Sequence, residues 1–155
     1  MDKNTSIHYL NSQCASPVSA EQRAEQLEKM DAFHFAFDKA NSQLTLQILS
    51  LQHADIDVKK VMGLIECCQA LETVLQTYDQ HSRLFDFYFW LREQLTLISE
   101  SDKSGKGIEL VCHTEIKKLE RAINALCVET FNTKVVAIFN AKRVKSASEQ
   151  QQSAI

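Results

Sequence analysis

The stretch "RLFDFYFWLREQL", residues 83–95, decides how the whole chain is read. On a helical wheel with Leu84 at zero, Leu84, Phe87, Tyr88, Leu91, Leu95 and Ile98 fall within about 100° of arc, the width of one buried face. Phe85 and Phe89 lie on one flank of that face, at about 100° and 140°. Trp90 and Leu97 lie on the other flank, at about 240° and 220°, with Asp86 and Glu93 between the flanks. One bundle core uses only the first of these faces.

Three arrangements accommodate the surplus. The helix is central and covered all round by its own chain, or a second protein chain covers the extra aromatics, or the segment is a strand. Phe85, Phe87, Phe89 and Leu91 do alternate as a strand would. The helical stripe, however, continues unbroken through "REQLTLI" in helix-compatible residues, which favours a helix.

Outward from this segment the same period recurs. Ser19 and Gln22 in "SPVSAEQ" form the sequence signature of a capping box and start a helix over 19–52. Its apolar stripe is Met30, Phe33, Phe37, Ala40, Leu44, Ile48 and Leu51, while Phe35, Leu46 and Leu49 fall on the opposite side. Asp55 or Asp57 caps a second helix over 57–78, with Val58, Val61, Ile65, Cys68, Leu71, Leu75 and Tyr78 on one face. "DQHS", residues 79–82, turns the chain into a third helix over 82–99, although without Gly or Pro the second and third could be one kinked helix.

"SESDKSGKG", residues 99–107, holds two of the three glycines and is the clearest loop signal. A fourth helix over 107–131 carries Cys112, Ile116, Leu119, Ile123 and Leu126. Continuing its stripe brings Lys134 to the centre of the apolar face, so a kink, an end or an exit from the bundle is expected near "NTK", residues 132–134. A short C-terminal segment follows, helical or a strand. The expectation is an all-α antiparallel bundle of four main helices. A flexible segment over 1–18 precedes a single domain over 19–145, and "SASEQQQSAI", residues 146–155, reads as a disordered tail.

Composition agrees. The chain has 155 residues with 3 glycines and 1 proline, too few for many tight turns. The N-terminal residues lack the apolar core of a secretory signal, and no apolar run nears the roughly 20 residues that span a bilayer. Five cysteines with one adjacent pair do not form a disulfide framework, which points to free thiols in the cytoplasm.

Chemistry is sparsely written. "SGKG" lacks the leading glycine and the trailing Ser or Thr of a phosphate loop, and no strand precedes it. Cys67 and Cys68 point about 100° apart on a helix, so they do not share a tetrahedral ion easily; no metal or other cofactor is expected. His113 reads as an exposed helix histidine, and Glu115 with Lys118 as part of a solvated, ion-paired face.

The leading expectation is therefore a non-enzymatic interaction protein: an adaptor, a chaperone-like factor or a regulatory subunit. Its partner-binding residues are Phe85, Phe89, Trp90 and Leu97 with Phe35, Leu46 and Leu49, and a homodimer is the simplest case. The alternative is a helical subunit that contacts nucleic acid through Lys134, Lys142, Arg143 and Lys145. Residues 101–155 do carry 9 basic against 6 acidic side chains, although the net charge of the whole chain is −3. An enzyme whose site is assembled from scattered polar residues ranks last.

Overall fold

A computed structural model describes residues 19–53, 55–102 and 104–152. It contains four helices: α1 (Ala20–His53), α2 (Val58–Thr77), α3 (His81–Ser99) and α4 (Lys106–Gln152). Among the described residues there is no strand, so the 83–95 segment is helical. The expected N-terminal segment, 1–18, lies outside the described residues.

The starts and stops follow local chemistry. At the head of α1, Gln22 N–H donates to Ser19 Oγ at 3.2 Å and Ser19 N–H donates to Gln22 Oε1 at 3.1 Å, the reciprocal pair of a capping box. Asp57 caps α2, accepting from Lys60 N–H at 2.7 Å. Asp57→Ala is expected to cost about 1 kcal/mol and Asp57→Asn much less, measured by urea unfolding; equal losses would show that charge, not the cap bond, matters. Between α2 and α3 the chain reverses without glycine because Asp79 takes a left-handed φ of 53°, a conformation Asp tolerates better than most residues. The two helices are therefore separate.

The helices assemble into a bundle in which α1 packs on α2, α3 packs on α4, and α2 touches both α3 and α4. Phe33, early in α1, meets Tyr78 just past α2, whereas Gln47, late in α1, donates to the Lys60 carbonyl early in α2 at 3.0 Å. Gly63 permits that approach: a Cβ there would stand 2.8 Å from Gln47 Nε2. The core contains Phe33, Leu44, Val61, Leu64, Ile65, Leu75, Leu95, Ile108, Cys112 and Leu119 among others. Each such aliphatic side chain taken from water contributes roughly 1.5–3 kcal/mol.

Two expectations are corrected at the C-terminal end. α4 does not stop at 131 before a separate short segment; it runs unbroken through Asn132–Lys134 to Gln152. Residues 146–152 are helical rather than a disordered tail, and 153–155 lie outside the described residues. The reason is local: "SASEQQQ" holds no Gly or Pro, and nothing in it interrupts backbone hydrogen bonding. The exit from the bundle does occur. Leu126 is the last buried side chain of α4 among those described, and Lys134 is exposed.

Candidate functional site: an apolar groove between α1 and α3

No Cα atom of α1 comes within 8 Å of α3 or α4 among the described residues. α1 is held to the rest of the bundle through α2, and the space between α1 and α3 stays open. It forms a groove of about 440 Å³. Leu44, Leu71 and Leu75 form its base, with Phe37 and Ile48 of α1 facing Phe87 and Trp90 of α3. The base residues are core side chains, and Phe37, Ile48, Phe87 and Trp90 are half-buried against them.

Arg83 closes one end. Its guanidinium lies 5.4 Å from the Phe33 ring centroid and 5.6 Å from that of Phe37, two cation–π contacts that join α3 to α1. Asp86 is the acidic group in the lining, and Asn41 and Thr45 add exposed polar atoms from α1. Trp90 stacks on Phe87 with centroids 5.9 Å apart. The arrangement suits an apolar guest with a few polar contacts at its edge.

The expected partner-binding residues are not gathered on one surface. Trp90 lies in the groove. Phe85 is half-buried, packs on Phe89 at 4.9 Å, and lines a separate recess with Leu126 and Phe131 of α4. Phe89 is partly exposed beneath the Arg92 guanidinium, 5.0 Å from its ring centroid, and Leu97 is exposed nearby on the outer side of α3. Phe35, Leu46 and Leu49 are exposed on α1 and do not line the groove. The α3 surplus is thus divided between core, groove and surface.

Lys134 is exposed beside His81, and Lys142, Arg143 and Lys145 follow on the helical backbone of α4, their side chains lying outside those described. Comparison with models of known families, with curated proteins and with solved structures finds no match.

Other chemistry is limited to the interior. Among the described residues no three His, Cys, Asp or Glu side chains converge to hold a metal ion. Burial pushes the Cys68 thiol up to about 12, with Cys67 and Glu72 adding to the rise, and burial also raises Cys112. Both are poor nucleophiles at neutral pH, because the thiolate is the reactive form. Tyr88 Oη donates to Glu72 Oε1 within the bundle. The stripe pattern marks Tyr88 as core but carries no sign of that bond, which needs α2 and α3 side by side. Nor does it reveal Arg83, Asn41 and Thr45 as groove residues, since they become neighbours only when α1 folds onto α2.

Proposed function

We propose that this chain is a non-enzymatic interaction protein whose α1–α3 groove receives an amphipathic helix of a protein partner. The observation that carries the proposal is the apolar base of Leu44, Leu71 and Leu75 between two helices whose backbones stand apart and which Arg83 bridges at one end. A guest helix would fill the vacant place in the bundle, presenting apolar residues at i, i+3 or i+4, and i+7. Trp90 and Phe87 would supply large anchors with little rotamer entropy to lose. The free thiols of Cys68 and Cys112 support work in the reducing cytoplasm. No helix among the described residues is long and apolar enough to cross a membrane.

The test uses the position of the single tryptophan inside the groove. Asn41→Arg and Thr45→Arg fill the groove from exposed positions. A protein isolated from the host with wild-type chain should be lost with these variants. When purified, it should shift Trp90 emission in the wild type. Retention by both variants, with no spectral change, would remove the groove from consideration.

A further inference from the structure

α1 and α4 both outrun the bundle, and they do so at the same end. Phe33, the first buried residue of α1, meets Tyr78 at the α2–α3 turn. Every described residue of α1 before it, 20–32, is exposed, an overhang of about 20 Å. α4 passes His81, the first residue of α3, near Lys134, and residues 135–152 continue for about 27 Å beyond it.

Each overhang, with the stretch of α4 that leads into it, carries apolar side chains that its own bundle leaves wholly or partly uncovered. In α4, Val128, Phe131, Val135 and Ile138 recur at spacings of three and four. That stripe lies about 120–200° around the helix from Leu126, away from the core. Phe131 is 67% exposed and Ile138 58%. In α1, Leu27 and Met30 are 61% and 55% exposed and share a face with Ala20 and Ala24.

The charges of the two overhangs are opposite. Over 20–32 the acidic Glu21, Glu25, Glu28 and Asp31 outnumber Arg23 and Lys29, and Lys29 is already paired with Glu25 at 2.9 Å. Over 135–152 the basic Lys142, Arg143 and Lys145 outnumber Glu149, and Lys134 stands at the base of that overhang. Like charge opposes pairing α1 with α1 or α4 with α4, whereas α1 with α4 is favoured. Within one chain, among the described residues, no Cα atom of α1 comes within 8 Å of α4.

We propose that two copies of this chain pair end to end, the α1 overhang of each lying along the α4 overhang of the other. A two-fold axis beyond the α2–α3 turn makes both contacts at once, and the paired overhangs run parallel. This pairing is independent of what the α1–α3 groove binds.

The full chain should show a concentration-dependent dimer by sedimentation and light scattering, tightest at low salt. Phe131→Asp with Ile138→Asp alters only exposed positions, so helix content by circular dichroism should hold while dimerisation weakens at least about tenfold. A chain with Glu21→Lys and Glu28→Lys, or one with Lys134→Glu and Lys142→Glu, should self-associate similarly poorly. An equimolar mixture of the two should recover pairing, because both contacts in the mixed dimer are again complementary. A wild type that stays monomeric at low salt up to about 100 µM, some hundredfold above a typical micromolar dissociation constant, would overturn the proposal. So would a dimer indifferent to the Asp double variant, or a monomer whose basic overhang binds nucleic acid instead.

Discussion

Leu95→Ala is expected to lower the stability of the bundle by about 3–5 kcal/mol. Leu95 is fully buried on α3, in the same core cluster as Ile65 and Cys68 of α2 and Leu119 of α4, with which it lines one recess. The loss has two parts, the transfer energy of the deleted methyls and the cavity left behind. Three helices pack around this position, so collapse into the gap is limited. A domain of this kind has only about 5–15 kcal/mol in total. Leu97→Ala, two residues on and 57% exposed, should change stability by no more than about 0.5 kcal/mol. Urea unfolding of both variants at several protein concentrations checks the pair. Similar losses for the two would mean that the α2–α3–α4 junction is not packed as described.

Alkaline pH should destabilise the fold through Cys68. Its thiol titrates near 12 in the folded protein against an ordinary 9.0, because burial disfavours the thiolate. A folded pKa above the unfolded one means that the folded state binds more protons between those values. The stabilisation is therefore complete below pH 9 and is lost as pH rises toward 12. The slope is about 1.4 kcal/mol per pH unit, roughly 4 kcal/mol across the window. Tyr88 acts in the same direction: burial first, and then its bond to Glu72, hold its hydroxyl protonated. Urea unfolding at pH 7 to 11 measures the decline. In Cys68→Ala, the cavity cost makes the variant weaker at pH 7, but its gap to wild type should close as pH rises. A gap that stays constant from pH 8 to 11 would show that the Cys68 thiol does not titrate as described.

The cap at Ser19, a second cap at Asp55 or Asp57, and most of each helix's stripe were legible in the chain because they depend on neighbours three and four residues away, although Met30 and Val58 of those stripes are exposed. Leu64 was not: it lies beside the main α2 stripe yet is buried, because α2 is covered by α1, α3 and α4 together. Of the kink, end or exit expected near Lys134, the exit is what occurs. Once α4 has left the bundle, a lysine on that face meets solvent, and the helix has no reason to stop.

The same distinction governs the candidate site. Periodicity alone established that α1 and α3 carry more apolar surface than one core can hold. It could not apportion that surface, because burial depends on which helices become neighbours and at what distance. Packing gave Trp90 to a groove, Phe85 to the α3–α4 contact, and Phe35, Leu46, Leu49 and Leu97 to open surface. The sequence determined the helices and their faces, since those follow from local hydrogen bonding and a period of 3.6 residues. Only the tertiary structure decided that α1 and α3 stand apart, and that α1 and α4 outrun the bundle at one end. Those outcomes arise from long-range packing and from helix lengths compared across the fold, which no local window of sequence contains.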